Sequence, residues 1–162
     1  MSRLIRLLAM TLLLAALGGC GFHLQGVSHL PVAFSTTTIA AEDRYTDFNR
    51  ALSDALRVSG STLVSVGATA TVEVISDEHG QRVLSVSANN APTEYEVWYT
   101  VRYRVLVGAR EALSPQVLTL SRDYSFDATA VLPKEHEQEM IRAALARELA
   151  ALVMRRLTAL PP

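Results

Sequence analysis

The sequence holds few of the side chains from which catalytic sites are usually built. Among 162 residues there is one cysteine, Cys20, one tryptophan, Trp98, and one lysine, Lys134. A single cysteine excludes a disulfide within the chain, and no pair among the four histidines is spaced as metal ligands usually are. Serine-hydrolase elbows, HExxH zinc helices and phosphate-binding glycine loops are also missing. These absences predict a protein that is not an enzyme and that uses no metal or cofactor.

The chain also lacks a strong excess of charge of either sign. It has 15 Lys and Arg residues against 16 Asp and Glu, a formal net charge of −1 with histidine neutral. Residues 1–19 contain two of the basic residues and no acidic one, so residues 20–162 carry a net charge of −3. Because a weakly acidic chain is not a general binder of nucleic acids or anionic membrane surfaces, we expect no nucleic-acid partner.

The longest apolar run is too short to cross a bilayer as a helix. Leu7 to Leu17 comprises 11 residues interrupted only by Thr11, whereas a spanning helix needs ~20. Arg3 and Arg6 precede the run and small residues follow it, which is the pattern of a secretory signal.

The end of this signal explains why the chain keeps one thiol. Leu17, Gly18 and Gly19 precede Cys20, and this order forms a lipobox with the cysteine at the first position after cleavage. We expect the Cys20 thiol to carry diacylglycerol and the new amino group to be acylated, so that the acyl chains hold the protein to a membrane. Gly21, in place of the aspartate that would favour inner-membrane retention, predicts the periplasmic side of the outer membrane. The alternative is an ordinary thiol in an ordinary cleavable signal.

These features divide the chain into three parts. Residues 1–19 are predicted to be the lipoprotein signal peptide, residues 20–33 the lipidated N-terminus and a short tether, and residues 34–162 a single domain. The 143 residues of the mature chain are enough to bury one core.

Five segments have the alternation or composition of β-strands. The clearest is EYEVWYTVRYRVLV, residues 94–107, in which apolar residues alternate with mostly polar ones. The other predicted strands are Phe34–Ala40, Val72–Ser76, Arg82–Ala88 and Val117–Phe126. We expect a turn at DEHG, residues 77–80, and a connection through GAREALSP, residues 108–115.

Two further segments have the spacing of amphipathic helices. Residues 43–61 place their apolar side chains on one face, with Thr46 or Asp47 as the cap and Gly60 at the end. The second helix is predicted from about Pro133 to Leu157. Its apolar stripe would consist of Ile141, Ala144, Leu145, Leu149, Ala151, Leu152, Val153 and Leu157. This order of elements predicts an α/β (α+β) two-layer sandwich, with two helices on one face of a mixed, mostly antiparallel sheet of four to five strands.

Several sequence pieces, in this order and spacing, resemble one known family. GCGFHLQG follows the lipobox, and EYEVWYTVRYRV precedes LSRDYSFDATAVLPKEHEQEMIRAALARELAALVMRRL. Together they resemble the LPS-assembly lipoprotein family, LptE. The resemblance implies an outer-membrane β-barrel partner, LptD, in which the lipoprotein sits as a plug. It also implies that the complex delivers lipopolysaccharide to the cell surface, and that the lipoprotein helps the barrel fold and binds lipopolysaccharide.

Two cations are the candidate ligand contacts for lipopolysaccharide. If the late strands form a meander, the loop at 89–93 lies at the same end as residues 127–134, which places Lys134 near the start of the last helix. Phosphates of the lipopolysaccharide would favour such a cation, and Arg122 is the nearest other candidate. The alternatives are that neighbouring glutamates occupy Lys134 and that cross-strand carboxylates occupy Arg122.

The candidate barrel contacts lie on the mostly polar face of the clearest strand. Trp98 is an exposed indole on that face, and Leu106 shares it, so both are predicted to meet the partner. The alternative for Trp98 is that a loop or a sheet edge covers it. The second functional interpretation of the whole chain is an auxiliary lipoprotein of an ABC-type lipid transport system.

Overall fold

A computed structural model describes residues 30–125 and 134–161, with Lys134 and Glu135 described by their backbone alone. Val32–Phe34 form one turn of 3-10 helix at the start of the described chain. The elements that follow are β1 (Thr36–Ala40), α1 (Asp47–Val58), β2 (Thr62–Leu63), β3 (Ala70–Val86), β4 (Pro92–Val107), β5 (Arg110–Ser125) and α2 (Lys134–Thr158).

The described strands form one five-stranded sheet in the order β2-β1-β3-β4-β5. Strand β1 runs parallel to both β2 and β3, while β3, β4 and β5 form an antiparallel meander. Both helices pack together against one face of the sheet. The predicted fold class is therefore confirmed.

The core is built on the strict alternation of β4. Its buried residues are Tyr95, Val97, Tyr99, Val101, Tyr103 and Val105. The helices cover this face, and α1 contributes Phe48, Leu52 and Leu56, none of which has any exposed surface. Because cutting a fully buried leucine back to alanine costs about 2–5 kcal/mol of stability, Leu52 and Leu56 are each important for holding α1 on the sheet.

Helix α1 begins and ends where the sequence predicts. The Thr46 hydroxyl accepts a hydrogen bond from the Asn49 backbone N–H at 3.2 Å, which caps the first turn. Past the other end, Gly60 has a φ of 89°, a left-handed conformation that glycine adopts without strain. The Phe48 backbone N–H also donates to the Tyr99 hydroxyl at 3.3 Å, which ties the start of the helix to the sheet.

The predicted apolar stripe of α2 is partly wrong. Leu145, Leu149, Val153 and Leu157 are buried as expected, but Ala151 is exposed. The buried face is completed instead by Ala146, Ala150 and Met154. The reason is that α2 packs against α1 as well as against β4 and β5, so the buried face is wider and turned relative to a stripe that meets the sheet alone.

The turn predicted at residues 77–80 does not exist. These residues lie inside the 17-residue strand β3 and pair with β4 from Val101 to Trp98. Glycine and acidic residues favour turns locally, but here a long partner strand holds them extended. The pairing of β3 with β4 shifts register after Val74 and again after Val83. These irregularities interrupt the regular alternation of β3, which is why the sequence pattern predicts two separate strands there.

The predicted connection at residues 108–115 is also wrong. Only Gly108 and Ala109 form the turn, because Val107 already pairs with Arg110. Gly108 has a φ of 57°, as a tight hairpin turn with glycine in the first central position requires. Pro115 is tolerated within β5 because β5 is an edge strand and its proline need not donate to a further strand.

One carboxylate in the first turn of α1 joins the two helices. Asp47 Oδ2 accepts from Arg142 Nε at 2.7 Å, and Oδ1 accepts from Arg50. Burial alone would raise the pKa of Asp47, but the hydrogen bonds and charges of Arg142 and Arg50 outweigh burial and hold the pKa below its ordinary value of 3.8. The stabilisation is thus present above about pH 4 and is lost as the pH falls through the lowered pKa.

We expect Arg142→Gln to lower the free energy of unfolding by about 1–2 kcal/mol at pH 7, since a charged hydrogen bond between the helices is lost. The deficit should shrink as the pH falls through the lowered pKa of Asp47, because the protonated carboxyl group no longer pairs with Arg142. Urea unfolding of the mature chain from pH 7 to pH 3 measures it, with Arg147→Gln on the same helix as the control. A deficit independent of pH would contradict this account.

Candidate functional site

The end of the sheet at the β3–β4 turn, here called the hairpin end, includes residues 83–95 and the last residues of β5. The turn is closed by the Ser87 N–H, which donates to the Ala91 carbonyl at 2.7 Å, and Asn90 adopts a φ of 61°. Ser125 at the end of β5 pairs with Glu94. The chain therefore leaves β5 beside this turn, as the predicted meander requires, and residues 126–133 lie outside the described chain.

Exposed apolar side chains lie close to the turn, a feature that sequence reasoning missed. Val83, Leu84 and Val86 expose 49%, 44% and 52% of their surface. Behind them Tyr95 and Tyr124 stack with ring centroids 5.5 Å apart. Several exposed apolar residues in one place are typical of a contact surface, whereas single ones need no explanation. The signal was present in the sequence, but only the register of β3 shows where these side chains point.

Of the two candidate cations, Arg122 has a described side chain with a partner, whereas the side chain of Lys134 is not described. Arg122 lies on the helix-bearing side of the edge strand β5, and its Nη2 donates to Glu148 Oε1 of α2 at 2.6 Å. The side chains of Arg122 and Glu148 are 46% and 51% exposed, so the pair is solvent-screened and weak. Its partner is thus a helix residue rather than the cross-strand carboxylates that the sequence suggested.

Lys134 is the first residue of α2, but its side chain lies outside the described residues. Asp127 lies outside them as well. The structure therefore neither brings Lys134 and Arg122 together nor separates them, and their role in ligand binding stays a prediction. Within residues 30–125 and 134–161, no group of three or more His, Cys, Asp or Glu side chains could hold a metal ion.

The face of the sheet that the helices do not cover, here called the open face, is mostly polar, although Val117 is 59% exposed on it. Its hydroxyls and charges pair across strands: Thr100 with Thr119 at 2.9 Å, Arg104 with Glu73 at 2.8 Å, and Arg82 with Glu96. Arg102 lies on the same face with no ion pair among the described residues, but charges of both signs are present, so the face has no strong field of one sign. It suits a partner that also presents hydrogen-bonding groups.

Trp98 is half-buried on the open face, with its ring over Gly80 of the neighbouring strand. A Cβ atom at Gly80 would lie 2.6 Å from Trp98 Cζ2 and 2.8 Å from Cε2, so only glycine leaves room for the indole. The ring thus covers the place in β3 where Gly80 has no side chain. Its partial burial comes from this neighbouring glycine and not from a covering loop or a sheet edge. The partly exposed remainder of the ring stays on the open face.

Leu106, the second predicted barrel contact, is also half-buried on the open face, between Thr71 and Glu111. Eight residues along one strand separate it from Trp98, which is roughly 26 Å at ~3.3 Å per residue. Trp98 thus lies near the middle of β4 and Leu106 near its end, and a single partner touching both would have to follow about half of the strand.

Comparison with known proteins gives a consistent result. A family model described as LptE, lipopolysaccharide-assembly, matches residues 34–157. The LPS-assembly lipoprotein LptE of Pectobacterium atrosepticum is 28% identical over 157 residues, which covers 94% of this chain and 85% of that protein. The protein of the same name in Yersinia enterocolitica is 26% identical over 157 residues, covering 95% and 74%.

Solved structures share the fold. The solution NMR structure of lipoprotein B from Nitrosomonas europaea has a TM-score of 0.70 at 26% identity and covers 86% of this chain and 91% of that one. The crystal structure of rare lipoprotein B from Shewanella oneidensis has a TM-score of 0.67 at 22% identity, covering 76% and 94%. The interpretation as an auxiliary lipoprotein of an ABC-type system is not favoured by these matches. The chain belongs to the family of LPS-assembly lipoproteins, LptE.

Proposed function

We propose that this lipoprotein is anchored through Cys20 to the periplasmic side of the outer membrane and sits as a plug inside the β-barrel LptD. There it helps the barrel assemble and aids delivery of lipopolysaccharide to the cell surface, without catalysing a reaction. The hairpin end receives lipopolysaccharide, and the open face meets the barrel wall.

The observation that carries the plug proposal is the polarity of the open face. The interior of an outer-membrane barrel is polar, whereas the contact faces of obligate soluble partners are usually apolar. A face of threonines and ion pairs such as Arg104 with Glu73 and Arg82 with Glu96 loses little by meeting a polar wall. No helix within the described residues is long and apolar enough to cross a membrane.

The dimensions of the sheet give further support. Strands β3, β4 and β5 are 16 or 17 residues long, so each extends roughly 50 Å at ~3.3 Å per residue. The hydrocarbon core of a bilayer is about 30 Å thick. A domain of this length is able to occupy a barrel lumen from one side of the membrane to the other.

The partner itself is tested by a tagged pull-down from detergent-solubilised envelope, with mass spectrometry of what is recovered. We expect a large outer-membrane β-barrel protein at near-equal stoichiometry. Recovery of ABC-transporter components without a barrel would overturn the proposal and favour the auxiliary-lipoprotein interpretation.

The open-face contact is tested by Trp98→Ala, which should weaken association with the barrel by about 2 kcal/mol, because central tryptophans are frequent binding hot spots. Leu106→Ala should have a smaller effect. Titration of purified barrel with each variant measures both. Tyr45→Ala is the control, since Tyr45 is 84% exposed in the loop before α1 and lies off the open face.

A second variant separates contact from folding. Gly80→Ala keeps the indole but pushes it off β3, so the fluorescence of the chain's single tryptophan should move to longer wavelength. Barrel association should weaken in parallel. Unchanged association in both Trp98→Ala and Gly80→Ala would exclude Trp98 as a contact.

The ligand contact is tested by Lys134→Asp, which should weaken lipopolysaccharide binding about tenfold and leave barrel association intact, because a cation facing phosphate is replaced by an anion. Arg122→Gln should weaken binding less, since Arg122 first has to leave Glu148. Arg110→Asp makes the same charge change as Lys134→Asp, at the β4–β5 turn at the opposite end of the sheet. Equal binding by wild type and Lys134→Asp would refute the assignment.

A further inference from the structure

A groove of about 290 Å³ lies between α1 and the edge of the sheet formed by β1 and β2. It lies on the helix-bearing side and includes neither the hairpin end nor the open face. We propose that this groove binds an anionic sugar, either free or as the head of a larger glycolipid. This inference goes beyond the proposed function and does not depend on it.

The electrostatics of the groove favour an anion. Arg44 and Arg57 line it, and no Asp or Glu is among its described lining residues. Arg44 makes no ion pair or hydrogen bond with another described residue. Arg57 meets Asp54 only at 3.4 Å, and both side chains are more than 60% exposed, so its guanidinium is available to a ligand. Arg44, which has no carboxylate partner among the described residues, and the weakly paired Arg57 favour anions at this place.

One wall of the groove is a polar stripe on α1. Asn49, Ser53 and Arg57 follow one another at intervals of four residues and therefore lie on the same side of the helix. Asn49 is only 3% exposed, and its Nδ2 donates to the Asp43 carbonyl, which fixes the segment that carries Arg44. Its buried Oδ1 has no hydrogen-bond partner among the described residues, so an acceptor remains unused in this wall.

The opposite wall is held rigidly by the short strands. The Val64 N–H donates to the Thr37 carbonyl at 3.0 Å, and the Thr38 hydroxyl donates to the Val64 carbonyl. This wall presents the Ser65 segment and the apolar side chain of Leu63, with Ile39 beside it. Because this wall is already fixed, binding loses less conformational entropy than it would if the wall had to become ordered around the ligand. A preformed groove of this kind favours a small ligand.

The combination of groups identifies the ligand class. A carboxylate or phosphate would pair with the guanidinium forks, ring hydroxyls would bond to Ser53 and Ser65, and the C–H face of the ring would pack on Ile39 and Leu63. No aromatic ring is among the described lining residues, so a nucleobase would find nothing to stack on. The volume lies just under the ~300–1,000 Å³ of typical small-molecule sites, which suits a ligand of sugar size.

The test uses the mature lipoprotein in detergent, titrated with glucose 1-phosphate, inorganic phosphate and glucose, and followed by the NMR signals of backbone amides. We expect glucose 1-phosphate to shift the signals of residues in the groove. Its binding should weaken at least tenfold in Arg57→Gln and in Arg44→Gln. Arg50→Gln should bind normally, because it removes the same charge from the same helix outside the groove. Ser53→Ala should weaken glucose 1-phosphate more than inorganic phosphate.

Equal affinity of wild type, Arg44→Gln and Arg57→Gln for glucose 1-phosphate would overturn the proposal. Inorganic phosphate binding as tightly as glucose 1-phosphate would also overturn it, because the groove would then be an anion site without sugar recognition. Competition by lipopolysaccharide distinguishes the sources: displacement of glucose 1-phosphate supports a glycolipid head, and no displacement supports a free sugar. Running the competition in Lys134→Asp keeps this result separate from binding at the hairpin end.

Discussion

The alternation of β4 is the constraint on which the rest of the structure depends. Every second residue from Tyr95 to Val105 is buried beneath the helices, so the residues between them must point to the other face. A shift of one residue would bury Glu96, Arg102 and Arg104, and burying charges without partners costs far more than the sheet gains. The register of β4 therefore decides both where the helices pack and which side chains remain for a partner.

The helices cover one face of the sheet and leave three surfaces accessible to partners. The Asp47–Arg142 pair and the Phe48–Tyr99 hydrogen bond fix the two helices over the middle of β4. What remains is the open face, the hairpin end and the groove beside β2. Each has a different chemistry: polar pairs across strands on the open face, exposed apolar side chains at the hairpin end, and two guanidinium groups with no carboxylate among the described lining residues of the groove. These differences are why the three surfaces are assigned to three different kinds of partner.

The sequence predicts those parts of the fold in which local pattern and long-range pairing agree. The β4 alternation, the Thr46 cap and the length of α2 depend on neighbouring residues, and all are found in the structure. The predicted turn at residues 77–80 fails because pairing with β4 overrides local propensity. The packing of Trp98 on Gly80 and the partner of Arg122 on α2 are contacts distant in sequence, which no local pattern encodes.

The long strands separate the hairpin end from the end of the domain where the described chain begins. Gly108 N–H donates to the Thr69 carbonyl and Thr69 N–H to the Thr36 carbonyl, so the β4–β5 turn and the starts of β1 and β3 lie together. The chain enters the domain at this end, where Leu30 and Ala33 pack on the core. Under the proposal that Cys20 is anchored in the inner leaflet and the domain plugs a barrel, strands of roughly 50 Å would place the hairpin end beyond the ~30 Å hydrocarbon core. The proposed anchor and the proposed ligand contacts would then lie at opposite ends of the domain, which suits the outward passage of a lipid.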